Sequence, residues 1–174
     1  MVELKKINDE VYQANDEIVR LDRTAIDFIR QCALTNLRGR ARICAHKRAD
    51  DSLHEMVIGI AGSSYVRPHR HHSKVESFHL IEGSADVIVF SDQGMIEDVI
   101  ELGPERNFFY RLDLPRYHTV RVRTPVLLIH ETTNGPFDPA ATDFAAFAPE
   151  EGAVTVGDWT TWLDRVVAEW KTLH

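Results

Sequence analysis

Cysteine is scarce in this chain: Cys32 and Cys44 are the whole supply among 174 residues. Two thiols cannot make a disulfide framework, and no secretory leader is recognisable, so the expected setting is a reducing cytoplasm. Both thiols read as buried, unreactive side chains. Long apolar runs are missing too. No stretch approaches the ~20 residues that a membrane-spanning helix needs, so no membrane partner is expected. Basic charge falls short of acidic charge, with 20 Lys and Arg against 27 Asp and Glu and a formal net charge of −7. Nucleic-acid binding needs clustered cations, and that deficit argues against nucleic acid as the main partner. The one basic cluster, Arg38-Gly39-Arg40-Ala41-Arg42, reads as a solvated strand edge, with an anionic-substrate contact as the alternative.

What remains is ordinary for a globular protein, 44% hydrophobic and 27% charged, and the length suits one domain with a sizeable core. No internal repeat or dividing linker is visible. Three segments are expected: an N-terminal extension with a helix over 1–37, a β-barrel over 38–139, and a C-terminal segment and helix over 140–174. A short edge strand fits residues 1–7. Ile26, Ile29 and Ala33 recur at helical spacing behind a cap at Asp22 or Thr24, which predicts a helix over 23–34. From residue 40 the period changes to two. Short strands follow at spacings of roughly ten residues, separated by turn signals such as Ser91-Asp92-Gln93-Gly94 and Asn134-Gly135-Pro136. This is the mark of a β-sandwich or barrel and disfavours a βαβ sheet. Residues 140–157 look irregular. Asp158 then caps a final helix whose stripe holds Trp159, Trp162 or Leu163, Val166 and Trp170, read as packing with a share in a homodimer contact.

The chemistry concentrates in residues 67–83, Arg-Pro-His-Arg-His-His-Ser-Lys-Val-Glu-Ser-Phe-His-Leu-Ile-Glu-Gly. His69 and His71 stand two apart and share one face of a strand. Paired imidazoles grip transition metals, and Glu76 adds the negative charge a divalent cation needs. His118, in Pro115-Arg116-Tyr117-His118, is the candidate fourth ligand. Three His and one Glu suit Fe, Mn, Ni or Zn, and donor softness does not choose among them.

His69, His71, Glu76 and Gly83 resemble the first signature motif of the cupin superfamily, with its leading Gly displaced to Gly62. The second cupin motif is altered: Pro115 lies closer to His118 than the pattern has it, no Gly intervenes, and position 122 is Val. Further blocks resemble one cupin branch, the WbuC family. They are Arg40–Lys47, His54-Glu55-Met56, Arg67–His71, Lys74, Glu76–His79, Phe109–Leu112, His118-Thr119-Val120 and His130–Phe137, and the similarity spans about residues 38–151. The resemblance implies a single cupin-type jelly-roll barrel, mainly β, with flanking N- and C-terminal helices and one divalent metal. It also implies a bacterial cytoplasmic protein from a family named for O-antigen, lipopolysaccharide gene clusters. No reaction comes with it.

Other candidates accompany the metal set. His130 and Glu131 are adjacent on one strand, so one of them faces the barrel interior and can act as a general base. Arg67, Lys74, Tyr110, Arg111 and Asn134 are candidate substrate contacts. His72 is expected to face away from His71, and His79 to serve packing or to support a ligand from behind. His46 and His54 read as hydrogen-bonded histidines. Three functions stay open. The first is a metal-dependent isomerase or epimerase acting on a small sugar-like or carboxylated substrate. The second is an Fe(II) dioxygenase. The third is a non-catalytic metal-containing binder or sensor.

Overall fold

β1 (Leu4–Lys6) and β2 (Val11–Ala14) pair antiparallel at one edge of the molecule in the computed structural model, which describes residues 2–174. β2 is too short to show a period and is not anticipated from the sequence. The helix α1 (Arg23–Thr35) follows, and the Asp22 carboxylate accepts from the Ala25 amide at 3.1 Å as its cap. α1 carries the chain over to β3 (Arg40–Cys44), which lies parallel to β2. This single parallel crossover precedes the antiparallel run.

From there the chain alternates between two sheets. β4 (Leu53–Ala61), β6 (Glu76–Glu82), β9 (Phe109–Leu112) and β11 (Val126–Asn134) join the first sheet, in the order β1-β2-β3-β4-β11-β6-β9. β5 (His69–His71), β7 (Ala85–Phe90), β8 (Ile96–Leu102), β10 (Tyr117–Val122) and β12 (Thr142–Phe144) form the second, in the order β12-β5-β10-β7-β8. Two sheets sewn together by a chain that keeps crossing between them make a jelly roll. The turn into β7 requires glycine. Gly83 sits at φ +89°, and a Cβ there would stand 2.4 Å from the Val126 carbonyl oxygen. β12 and a 3-10 turn (Pro139–Ala141) occupy part of the stretch expected to be irregular.

The barrel core sits between the sheets, built by Ile60, Phe78, Val87, Leu102, Val120, Leu127 and Ile129. A second core lies outside the first sheet, where Ala25, Ile29 and Ala33 of α1 cover Ala41, Ile43, Val57 and Leu128. Gly59 lets the helix come close, because a Cβ there would meet Ala33 Cβ at 3.0 Å and the Ile29 carbonyl at 3.1 Å. This outer core decides the sense of β3. Its apolar parity, Ala41 and Ile43, turns to the helix, and its polar parity, Arg40, Arg42 and Cys44, turns to the barrel.

The closing helix α2 (Val156–Leu173) buries Leu163 and Val167 on Ile88, Phe90 and Val99, outside the second sheet. Its cap position is Thr155, without a side-chain bond, so Asp158 is not the cap. It lies in the first turn, where its charge favours the helix N-terminus. Asp86, 3% exposed at its side chain, ties the helix down by meeting Arg123 and Lys171, each at 2.7 Å. Among the described residues, no helix is long and apolar enough to cross a membrane.

Ile29 is fully buried between α1 and the sheet. Ile29→Ala is expected to lower unfolding stability by about 2–5 kcal/mol through lost burial and a residual cavity. Urea denaturation checks this as a reduced midpoint at unchanged slope.

Candidate metal centre

Four side chains from three strands meet near one mouth of the barrel. β5 is only three residues long, but its extended backbone places His69 and His71 on the same side. β10 runs antiparallel beside it with His118 opposite His69. Both strands belong to the second sheet, and Glu76 reaches across from the start of β6 in the first. One ligand atom from each of His69, His71, Glu76 and His118 lies within 4.8 Å of all the others. Donors on opposite sides of an ion with bonds of about 2.2 Å stand about 4.4 Å apart. The cluster therefore has the dimensions to hold a first-row cation with little adjustment.

The imidazoles are set for this from behind. Nδ1 of His69 contacts the Arg67 carbonyl at 2.9 Å, and Nδ1 of His118 the Arg116 carbonyl at 3.0 Å. A carbonyl only accepts, so each Nδ1 carries a proton and each Nε2 is the nitrogen turned to the cluster. Nδ1 of His71 meets the Thr142 hydroxyl at 3.0 Å. That contact depends on β12, so the strand missing from the sequence reading is what orients a candidate ligand.

The cluster is buried: Glu76 is 7% exposed and His118 2%. Glu76 Oε1 and His118 Nε2 stand 3.3 Å apart, yet neither has a hydrogen-bond partner in the protein. Two orphaned polar atoms at this depth are costly unless a cation takes both. Burial would raise the Glu76 pKa, but His118 and His71 outweigh it and hold the carboxyl well below the usual range. Burial, with His118 beside it, lowers His69 to about 4, which keeps that imidazole neutral and able to ligate. Burial also opposes charge on His118, but the Glu76 carboxylate wins and raises its pKa.

A cavity of about 490 Å³ opens from the cluster through the barrel. Glu131 and Lys74 line it, as do His46, His54 and Thr133. Glu131 is not one of the four clustered donors. Burial, reinforced by the Glu76 charge, pushes its pKa up to about 8. His46 and His54 stack at 4.0 Å along the wall. Burial, then His54, lowers the His46 pKa.

The remaining sequence candidates lie elsewhere. His130 is on the opposite parity from Glu131; it stands 3.8 Å from Glu55 and does not line the cavity. Arg67 packs 5.3 Å from the Phe144 ring and donates to the Ala145 carbonyl. Arg111 is exposed on β9, beside an inward Tyr110. Tyr110 belongs to the barrel core against Phe78 and does not line the cavity. Asn134 clips the loop before β6, accepting from the Val75 amide at 2.7 Å and donating to the Ser73 carbonyl at 3.0 Å. None of the four lines the cavity. His72 is exposed and meets Asp143, and His79 is exposed against Phe108 and Phe109. The sequence reading missed Thr142 and Thr133. A lone Thr carries no signal until the strand beside it is known.

Jelly roll and inward ligand cluster together define a protein of cupin-type fold. A family model described as a domain of unknown function (DUF6016) matches residues 21–102. No curated protein matches the chain. Among solved structures, the protein SO0799 from Shewanella oneidensis is 10% identical, with 57% of this chain and 66% of that one covered and a TM-score of 0.48. The DMSP lyase DddQ from Ruegeria pomeroyi DSS-3 is 17% identical over 64% and 54%, at 0.49. The Schizosaccharomyces pombe Cnp3 cupin domain is 11% identical over 55% and 64%, at 0.43. The chain thus spans less than two thirds of each, and the likeness is one of fold.

Removing two of the four donors tests the cluster. Wild-type protein is expected to carry a stoichiometric metal on purification and the His69→Ala, His118→Ala double variant to lack it, read by elemental analysis. Unchanged metal content would refute the ligand set. Glu131 makes a second prediction. The folded protein binds its proton more tightly than the unfolded chain, since the pKa rises from 4.5 to about 8. Its stabilising share is therefore complete below about 4.5 and lost as pH climbs through 8. Glu131→Gln mimics the protonated acid. In metal-stripped protein it should melt like wild type at pH 5 and at higher temperature than wild type at pH 9.

Proposed function

We propose that this chain is a mononuclear metalloenzyme of isomerase or epimerase type, acting on a small sugar-like or carboxylated substrate. Glu131 is the observation that carries the reading. It is a carboxyl inside the cavity that holds the ligand cluster, distinct from the four clustered donors, with a pKa of about 8. A structural metal site has no use for a further acid tuned near neutrality, whereas proton transfer next to a polarised carbonyl needs one. A bound Fe, Mn, Ni or Zn ion would supply the Lewis acidity that makes a proton beside a carbonyl or hydroxyl removable. The three imidazoles keep their orientation through the Nδ1 contacts described above. In its ionised form Glu131 would take a proton from the substrate carbon and return it to the neighbouring carbon, while the hydroxyl proton passes between the two substrate oxygens; an epimerisation would need a second proton donor on the opposite face. Apolar walls from Ile58, Phe78, Val120 and Ile129 limit water around it. The sequence likeness to the WbuC family supports a place in lipopolysaccharide sugar metabolism.

The test is solvent exchange. The metal-loaded protein is incubated in D₂O with a panel of aldoses, ketoses and 2-hydroxy acids, and deuterium uptake at carbon is followed by NMR. Exchange is expected for one member, and Glu131→Gln should slow it about 10²–10⁴-fold with metal content intact. Oxygen consumption that requires Fe(II) in place of exchange would identify a dioxygenase. Tight binding without exchange or turnover would identify a binder or sensor.

A further inference from the structure

Three cations line the cavity, Arg40, Arg42 and Lys74. They are not equivalent. Arg38 and Arg40 both reach Glu151, at 2.6 and 2.5 Å, and Arg38 also holds Glu10 at 2.8 Å. Those pairs account for most of the basic cluster in the sequence. Arg42 stands apart. Its strand turns it inward, and among the described residues no carboxylate oxygen comes within 4.0 Å of its guanidinium. Lys74, at the loop into β6, also lacks a carboxylate at that distance, and its ammonium stands 5.1 Å from the Phe137 ring. Glu131 and Glu76 lie in the same cavity without pairing with either cation. Both cations are half-buried and face the cavity with no carboxylate in salt-bridge contact, which leaves their donors available to an anionic ligand.

A neutral polar group shares the cavity with these cations and the ligand cluster. Thr133 is 5% exposed, lines the cavity, and its hydroxyl has no hydrogen-bond partner. On the sheet it is the direct cross-strand neighbour of Glu76, about 4.8 Å away in the pairing direction. A cavity of about 490 Å³ is of small-molecule size.

We propose, resting on the metal reading above, that the substrate is a small polyhydroxy anion. Its carboxylate or phosphate is held by Arg42 and Lys74. A hydroxyl meets Thr133, and its chelating oxygens face His69, His71, Glu76 and His118. Arg42 suits this role because its planar guanidinium binds an oxyanion through two parallel hydrogen bonds, while Lys74 adds a mobile charge at the mouth. The arrangement selects for charge at one end of the molecule and for oxygen chelation at the other.

Calorimetric titration of the full chain, with metal content measured on the same samples, tests this. The probes are glucuronate and ribose 5-phosphate, with glucose and ribose as neutral counterparts. At least one anion is expected to bind tenfold or more tighter than its counterpart, and comparing the two anions shows whether carboxylate or phosphate is preferred. Arg42→Gln and Lys74→Gln should each weaken that binding about ten- to hundredfold, with metal content at the wild-type level. Lys74 lies in a loop outside the core, so its variant reports even if Arg42→Gln folds poorly. Equal affinity for anion and neutral probe, absence of binding by both anions, or binding that survives both substitutions overturns the anionic substrate and leaves the metal reading standing. Wild-type protein without metal whose anion binding is still lost in the variants overturns the metal reading and keeps the anion subsite.

Discussion

A carboxylate surrounded by three imidazoles, shut away from water, is the constraint on which this structure turns. Glu76 and His118 are nearly inaccessible, and their facing atoms are not hydrogen-bonded to each other or to anything else in the protein. A fold does not hold such a group of polar atoms together for stability, since burying unpaired polar groups costs free energy. The surroundings are arranged to hold it regardless. Two backbone carbonyls and a threonine hydroxyl take the outer nitrogens of the histidines and leave the inner ones free. The jelly roll supplies the placement, because β5 and β10 in one sheet and β6 in the other bring their ends together at one mouth.

The rest of the molecule supports that mouth in layers. Between the sheets lies the apolar core, whose Phe78, Val120 and Ile129 also wall the cavity that opens from the cluster. Outside the first sheet, α1 supplies a second core and so allows β3 to be apolar on its outer face. Its inner face is then free to carry Arg42 and Cys44 into the cavity. Outside the second sheet, α2 covers Ile88 and Phe90, and its Asp164 pairs with Arg121 and Arg123, on and just after the strand that bears His118. Within the cavity the two carboxyl groups have opposite tendencies. Histidines keep Glu76 ionised, while burial and the Glu76 charge keep Glu131 protonated up to about pH 8. Two acids pushed apart in this way can take different tasks, one holding charge and the other moving a proton.

Much of this was legible in the residues themselves. The two-residue period from Arg40 onward and the turn signals between strands announced a β-barrel, and α1 was readable from Ile26, Ile29 and Ala33 behind Asp22. The spacing of His69, His71 and Glu76 is a local property: alternation along a strand and one short loop suffice to bring those side chains together. His118 was harder, since its approach to His69 depends on a pairing between segments far apart in sequence. β2 and β12 escaped notice because three or four residues carry no measurable period.

What the sequence by itself determined is the class of fold and the presence of a cation-binding set, because periodicity and ligand spacing are written within short windows. Which side of a strand faces inward was left to the tertiary structure. Alternation at His130 and Glu131, or at Arg42 and Ile43, says that the two side chains part company without saying which enters the barrel. The packing of α1 against the outer face settled it, by covering Ile43 and so turning Arg42 inward. The same parity sends Glu131 into the cavity and His130 out toward Glu55.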